Sequence, residues 1–384
     1  MQIRKVPFQA LGGVFEQDDV DAAMKVIKAA AESGGNFFPL HEEAEFQNAL
    51  AKHEGADKAI AVNSCGTALD LCMMALGITK GDEVIVPGQT FVCTATCAAA
   101  QGAKVIFADV DPDTMNLNPA KTEAKITKKT KAIIPVHFAG LACDIDAFDK
   151  ISKKYNIPII YDAAHAVSTK YKGKPIGGAG LASCYSFQSN KNMTTLGEGG
   201  AITTNDADFA EKVRQMKTFG YVYGGASLRV VSVGFNYRIT KPQAAVGLTQ
   251  LAKIDRIIKM RRDNFIKMNE LLANVSEVKI PVNVDDGHGC HIYVIQVDAD
   301  KLNCTRDQFK KAMMDEYQIG TGQHYPAVWS WEAADKFEYD NSDCEITEKM
   351  CKSVITLPIF PKTTNEEMEY IAWAMKELIV KNKK

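Results

Sequence analysis

The sequence predicts an α/β protein with a large domain on a mainly parallel sheet and a smaller C-terminal α/β domain. Between about residues 59 and 204, short apolar segments alternate with turns and amphipathic helical segments. Such alternation is typical of parallel strands joined by helices that cover both faces of the sheet. From about residue 240 the pattern changes to one long helical stretch followed by further strands and helices.

The strands of the large domain are predicted from short apolar segments bounded by turn residues. The first precedes a segment with clear helical spacing, in which apolar side chains fall at i, i+3, i+4 and i+7: Leu69, Cys72, Met73 and Leu76. The predicted strands are AIAV (59–62), DEVIVP (82–87), AKVIFADV (103–110), KAIIPVHFAG (131–140), NIPIIYD (156–162), YSF (185–187) and GGAITT (199–204).

The domain boundary is predicted where the alternation stops. A long helical stretch, KPQAAVGLTQLAKIDRIIKMRRDNFIKMNELL (241–272), leads into strands and helices that end in MEYIAWAMKELIV (368–380). We therefore predict a large domain over residues 1–255 and a small C-terminal domain over residues 256–384.

The composition favours small-molecule chemistry. The chain has 384 residues, of which 46% are hydrophobic and 24% charged, enough for two domains with a sizeable core. A net charge of -2 without long basic runs gives no footprint for nucleic acid or anionic lipid. The ten cysteines form no C-x-x-C pair, no segment has the length and apolarity of a membrane span, and the N-terminus lacks an apolar signal core. These features predict a cytoplasmic protein.

One cluster resembles a metal site at first sight. His288, Cys290 and His291 lie within four residues of one another. They lead directly into HIYVIQVD, however, which alternates like a half-buried strand. We therefore predict no metal there.

Three places directly after predicted strands could carry chemistry, because ligands of open α/β sheets collect beyond the carboxyl ends of the strands. Gly66 and Thr67 open a helix, where first-turn amides and the helix dipole favour a phosphate; an ordinary capped helix start is the alternative. Asp162 and His165 follow the strand NIPIIYD, and a buried acid there needs a cation or several donors; the alternative is an Asp that caps the next turn.

The third place is SFQSNKNMTTLGEGG (186–200), in which Lys191 lies between polar residues and a glycine-rich turn. It is either a solvated surface charge or a nucleophilic amine, which requires a partly neutral side chain. A phosphate cradle, an acid and a lysine, each after its own strand, are together the parts that hold pyridoxal 5'-phosphate.

The chain resembles the DegT/DnrJ/EryC1/StrS family, the sugar aminotransferases of the aspartate-aminotransferase fold (fold type I). The resemblance covers nearly the full length, and the matching segments are NSCGTALDLCMMALGI, GDEVIVPGQTFVCTATCAAAQGAKVIFADVDPDT, IPIIYDAAHA, SFQSNKN, GEGGAITTND, GFNYRITKPQAAVGLTQL and LPIFPKTTNEEMEYI.

The resemblance implies a role for each matching position. Lys191 would form the Schiff base with the cofactor and move the proton, and Asp162 would pair with the pyridine nitrogen. The remaining positions would contact the cofactor or the sugar: Gly66, Thr67 and Ser186 the phosphate, Phe91 the ring face, His165 the region of the ring hydroxyl, Asn236 the phosphate bound by a neighbouring subunit, and His324 the sugar. The alternatives are a core position for Phe91 and a hydrogen bond within the small domain for His324. The Asn236 match implies a homodimer with shared active sites.

Two positions depart from the family pattern. Gln188 stands where many relatives have histidine, as in branches that aminate cyclitols or related ketones, and Leu196 adds one residue before the glycines. The resemblance implies an aminotransferase that moves nitrogen from glutamate or glutamine to a nucleotide-linked keto-sugar, with a free keto-sugar or a cyclitol ketone as the alternative acceptor. The alternatives are a sugar dehydratase, whose relatives have histidine in place of Lys191, and a binding protein that retains the scaffold without catalysis.

Overall fold

The computed structural model describes residues 1–8, 12–38, 40–222 and 227–384. The helices are α1 Gln17–Glu32, α2 Leu40–Glu54, α3 Cys65–Ala75, α4 Cys93–Ala100, α5 Pro119–Ala124, α6 Ile145–Tyr155, α7 Ala207–Met216, α8 Lys241–Ala252, α9 Ile254–Leu272, α10 Arg306–Tyr317, α11 Glu345–Cys351 and α12 Asn365–Asn382. The strands are β1 Lys58–Val62, β2 Glu83–Pro87, β3 Lys104–Ala108, β4 Thr130–Ile133, β5 Ile160–Asp162, β6 Lys170–Tyr171, β7 Lys174–Pro175, β8 Ala182–Ser186, β9 Gly200–Thr204, β10 Tyr221–Val222, β11 Arg229–Val230, β12 Val278–Lys279, β13 Tyr293–Val297, β14 Tyr339–Asp340 and β15 Val354–Leu357.

The large sheet has two four-stranded halves, ordered β1-β9-β8-β5 and β14-β3-β2-β4. Parallel bridges between Ile133 and Ile159 and between Val136 and Asp162 join the halves along β4 and β5. Within the halves, the pairs β5/β8, β2/β3, β2/β4 and β3/β14 are parallel, whereas β9 runs antiparallel to β1 and β8. The prediction of a mainly parallel sheet is confirmed, with β9 as an antiparallel insertion.

The C-terminal part of the chain builds a second, antiparallel sheet, β12-β13-β15. Its core includes residues of α9, α10 and α12 and also Val6 from the N-terminus, which pairs with Ile319. In the other direction, β14 returns to the edge of the large sheet beside β3. The division into domains of residues 1–255 and 256–384 stays a prediction. Segments from each side of this boundary pack against the other side, as Val6 and β14 do. No helix in the described ranges is long and apolar enough to cross a membrane.

The order of the strands brings three loops to one edge of the large sheet. The carboxyl ends of the parallel strands β5 and β8 meet at this edge, and Ser186 of β8 lies opposite Gly200 of β9. Gly200 also lies opposite Val62, just before the start of α3. A Cβ atom on Gly200 would lie 2.4 Å from the backbone of Ser64, so this close approach requires glycine. The segments after β1, β5 and β8 therefore converge on one place.

Candidate active site

The convergent loops surround a cavity of 760 Å³. Most of the residues that the sequence singles out line it: Gly66, Phe91, Asp162, His165, Ser186, Lys191 and His324. Thr67 and Asn236 lie outside the lining. The first group comes from separate segments of the chain, so the fold brings together what the sequence keeps apart.

Asp162 lies at the floor of the cavity, and its side chain is buried. Its carboxylate accepts hydrogen bonds from the Thr94 hydroxyl at 2.7 Å and from the Ala164 amide at 3.0 Å. Burial raises its pKa, and these hydrogen bonds oppose the rise only in part. The charge of Lys191 also acts to lower the pKa of Asp162, without a side-chain hydrogen bond between the two groups in the described ranges. Because its pKa remains raised despite these interactions, the buried carboxylate fits a cationic ligand group.

Lys191 lies half-buried in a turn after β8, where its amide donates to the Gln188 carbonyl at 2.9 Å. Burial lowers the pKa of its ammonium group, while the charge of Asp162 acts in the opposite direction. A lowered pKa increases the fraction of neutral amine, which is the nucleophilic form. A cavity position and a lowered pKa are properties that a nucleophilic amine requires, and they differ from those of a solvated surface charge.

The start of α3 provides free backbone donors at the same cavity. Ser64 is the N-cap, and its hydroxyl accepts from the Thr67 amide at 3.1 Å. In the described part of the chain, the amides of Cys65 and Gly66 have no acceptor. The Thr67 hydroxyl donates to the Asn63 side chain at 2.7 Å, and this hydrogen bond stabilises the turn before the helix. Two unsatisfied amides at a helix N-terminus suit a phosphate group, and the Ser186 side chain lies beside them in the cavity lining.

Another part of the cavity wall consists of uncharged aromatic and histidine side chains. His165 Nδ1 accepts from the Ala139 amide at 3.3 Å, and His165 Nε2 lies 3.1 Å from the hydroxyl oxygen of Tyr325. Phe91 packs edge-on against Tyr325, with ring centroids 6.0 Å apart; it lines the cavity and is 56% exposed. His324 contacts the hydroxyl of Thr356 at 2.8 Å, and burial lowers its pKa to about 4. The wall thus offers hydrogen bonds without charge.

Comparison with known proteins identifies the family. A model of the DegT/DnrJ/EryC1/StrS aminotransferase family matches residues 17–376. The chain belongs to this family. The aminotransferase is 36% identical over 346 residues to the spore coat polysaccharide biosynthesis protein SpsC of Bacillus subtilis (strain 168), an alignment that covers 87% of this chain and 89% of that protein.

Solved structures agree with the family. The aminotransferase superimposes on an aminotransferase from Psychrobacter cryohalolentis with a TM-score of 0.89 and 27% identity, over 98% of this chain and 99% of that one. It superimposes on 3-amino-5-hydroxybenzoic acid synthase with a TM-score of 0.87 and 26% identity, over 98% and 100% of the two chains. The predicted fold type I and the membership among the pyridoxal-phosphate-dependent sugar aminotransferases are confirmed.

The aminotransferase site contains residues that the sequence reasoning missed. Thr94 donates to Asp162, Tyr325 contacts His165, and His291 lies in the cavity wall with its ring centroid 4.4 Å from that of His165. Two of them lie close to predicted site residues: Thr94 follows Phe91 by three positions, and Tyr325 follows His324 directly. Helical spacing from Phe91 could have indicated Thr94, whereas nothing local distinguishes His291 as a wall residue.

The two residues that differ from the family pattern, Gln188 and Leu196, lie in different places relative to the cavity. Gln188 lines the cavity, and its side-chain oxygen accepts from the Asn190 amide at 2.8 Å. Leu196 adopts a left-handed conformation, with φ of 60°, and is exposed. Its turn is closed by the Thr195 hydroxyl, which donates to the Glu198 carbonyl at 2.6 Å. The additional residue is therefore accommodated in a surface turn after Lys191.

Proposed function

We propose that this aminotransferase uses pyridoxal 5'-phosphate to move an amino group from glutamate or glutamine to a keto-sugar. The observation that carries the proposal is the shared cavity of Lys191, Asp162 and the N-terminus of α3. These three features match the aldehyde, the ring nitrogen and the phosphate of one small molecule. The buried carboxylate and the unsatisfied amides of Cys65 and Gly66 support the fit of these residues to the cofactor.

Each residue would make a separate contribution. The amides at the start of α3 and the Ser186 hydroxyl would bind the phosphate, and Thr67 would hold that turn in shape. Asp162 would keep the ring nitrogen protonated, and Phe91 would cover one face of the ring. When bound, the cofactor supplies an electron sink for the bond changes at the amino carbon. Lys191, once released from the aldehyde, would move a proton between that carbon and the cofactor.

The substrate would meet the uncharged wall. His165 and Tyr325 would lie near the ring hydroxyl and the sugar, and His324 would contact the sugar. The similarity to a spore coat polysaccharide biosynthesis protein supports a sugar substrate. Gln188 in the cavity lining leaves a nucleotide-linked keto-sugar, a free keto-sugar and a cyclitol ketone as candidates.

A two-stage assay tests the function. The purified protein is loaded with pyridoxal 5'-phosphate and treated with glutamate or glutamine, which we expect to remove the visible absorbance of the Lys191-bound cofactor. Nucleotide-linked keto-sugars, free keto-sugars and cyclitol ketones are then added separately, and return of the absorbance with an aminated product identifies the acceptor. Loss of a substrate hydroxyl without amination would indicate a dehydratase. A bound cofactor that exchanges nitrogen with no amino donor would indicate a binding protein.

We further propose a homodimer with shared active sites. Asn236 is exposed and does not line the cavity of its own chain. Around it, the chain exposes apolar side chains that a second copy could cover: Phe219, Leu228, Val230, Val231, Val233 and Phe235. An exposed apolar surface of this kind is typical of an interface. Asn236 would then reach the phosphate site of the partner subunit.

Subunit mixing tests the sharing. Lys191→Ala and Asn236→Asp are each expected to be inactive, the second because a carboxylate repels the phosphate. A heterodimer of the two contains one intact site, so random exchange should restore about a quarter of the wild-type activity. The control mixes wild-type protein with the variant that carries both substitutions in one chain, which creates no new intact site. If the first mixture stays inactive after exchange is verified by mass spectrometry, the sites are not shared.

We also propose a cytoplasmic location. All ten cysteines are free thiols, and most are buried. Free thiols are typical of proteins that work in a reducing compartment. Fractionation of cells that produce the protein, followed by immunodetection, would test the location.

A further inference from the structure

Asn192, which follows Lys191 in the chain, is held by the segment before β13. Its side chain is buried, with 3% exposed. The Asn192 Nδ2 group donates to the Gly289 carbonyl at 2.7 Å, and the Asn192 Oδ1 atom lies 3.1 Å from His291 Nδ1. Both polar atoms of the amide are therefore used by two residues of one short segment.

These contacts determine the tautomer of His291. Because Asn192 Nδ2 donates to a carbonyl, its Oδ1 atom is the end that faces the imidazole, and this oxygen can only accept. His291 Nδ1 must therefore carry the proton and donate it. Burial and the neighbouring groups His165, Lys191, Arg261 and His324 lower the pKa of His291 well below its usual value, so the ring is neutral and Nε2 is unprotonated.

The segment that carries His291 is itself fixed from both sides. The Gly289 amide donates to the Gly140 carbonyl at 2.8 Å, and the His291 amide donates to the Ala139 carbonyl at 2.9 Å. On the other side, the guanidinium group of the buried Arg261 donates to the His291 carbonyl at 3.0 Å. The imidazole is therefore a fixed hydrogen-bond donor, whereas the turn around Lys191 lies at the cavity edge.

We propose that His291 is a positioning residue that fixes Asn192 and thereby the main chain from which the Lys191 amine enters the cavity. The proposal rests on the proposed function of Lys191. The side-chain amine of Lys191 has no hydrogen-bond partner in the described part of the chain, so its location depends on the backbone. Reactive groups have to be held within about 0.5 Å of their productive position, and partners behind them supply that precision. The sheet β12-β13-β15 thus contributes to the site through the segment before β13.

Two substitutions of one residue separate this role from simple packing. His291→Leu removes the donor and leaves Asn192 Oδ1 without a partner, whereas His291→Asn keeps an N–H group near the position of Nδ1. Both variants are loaded with pyridoxal 5'-phosphate, and two quantities are measured without substrate: the pH midpoint of the visible absorbance of the bound cofactor and the rate of cofactor loss. We expect His291→Leu to displace the midpoint and to release the cofactor about tenfold faster, as for other residues that orient a ligand-binding group. His291→Asn should stay within about twofold of the wild type.

Comparison with the wild type and with Asn192 variants separates failure of the positioning role from failure of the proposed function. If the wild type shows no Lys191-bound absorbance, the proposed function fails; if it does and His291→Leu behaves identically, only the positioning role fails. Equal losses in both variants would overturn the role, because they would show that ring packing matters and the donor does not. In Asn192→Leu, the further change His291→Leu should have almost no additional effect, since the shared hydrogen bond is already absent. Should His291→Leu not fold, as judged by circular dichroism, His291→Gln replaces it, because its amide nitrogen matches Nε2 and not Nδ1.

Discussion

Lys191→Ala is expected to remove the visible absorbance of the cofactor-loaded protein and to lower kcat by about 10⁴-fold. Among the described residues that line the cavity, Lys191 is the only lysine, and burial lowers the pKa of its amine. Its loss removes both the covalent attachment of the cofactor and the proton carrier. Absorbance spectra and single-turnover reaction with glutamate measure the two effects separately.

An exposed lysine provides the matched control. Lys376 lies on the outer face of α12, so Lys376→Ala should retain the spectrum and the turnover of the wild type. Addition of a small primary amine should partly restore turnover to Lys191→Ala, because the cavity it leaves can admit the missing base. A Lys191→Ala protein that keeps both the absorbance and the reaction with glutamate would disprove the assignment of the nucleophile.

The parts of the site that follow strands were predictable because the topology is simple. In a mainly parallel sheet, carboxyl ends of strands meet at one edge, so Gly66, Asp162 and Lys191 could be placed together from strand order alone. The sequence pattern also indicated the alternation of strands and helices that generates this topology. The antiparallel direction of β9 was not predictable, because the segment 199–204 has the same apolar character as the strands that form the parallel pairs of the sheet.

The site residues that the sequence did not predict depend on contacts between positions that are far apart in the chain. Tyr325 reaches His165 from a segment 160 positions away, and His291 reaches Asn192 across 99 positions. Alternation around His291 correctly indicates a nearby strand, and β13 begins at Tyr293. Periodicity describes which face of an element is buried, however, and not which loop lies opposite. The proposed role of Asn236 shows the same limit more strongly, since it would require a second chain.

Asp162→Asn is expected to lower kcat by about 10²–10³-fold, as for other single electrostatic contacts at a reacting centre. The amide has nearly the same shape and can still accept from Ala164, and its NH₂ group can donate to the Thr94 hydroxyl. It cannot, however, balance a protonated ring nitrogen. The amount of bound cofactor and its absorbance should therefore change less than the rate of the reaction with glutamate.

The same substitution should act in the opposite direction on the stability of the cofactor-free protein. Burial raises the pKa of Asp162, so the folded state binds a proton more tightly than the unfolded state. Its contribution to stability is complete below the unfolded pKa and is lost as the pH rises through the folded pKa. At pH 7 the buried carboxylate is therefore unfavourable, and Asp162→Asn should raise the free energy of unfolding by about 1–2 kcal/mol.

With the cofactor bound, the wild type should be more stable than Asp162→Asn, because the protonated ring nitrogen would supply a cationic partner for the carboxylate. Urea unfolding at pH 7 would then show the wild type gaining more stability from pyridoxal 5'-phosphate than Asp162→Asn gains. Thr122→Val, at a buried hydroxyl remote from the cavity in α5, is a control that should change stability without changing the gain from the cofactor. An equal gain in wild type and Asp162→Asn would mean that the carboxylate does not face the ring nitrogen, and the buried charge would need another partner.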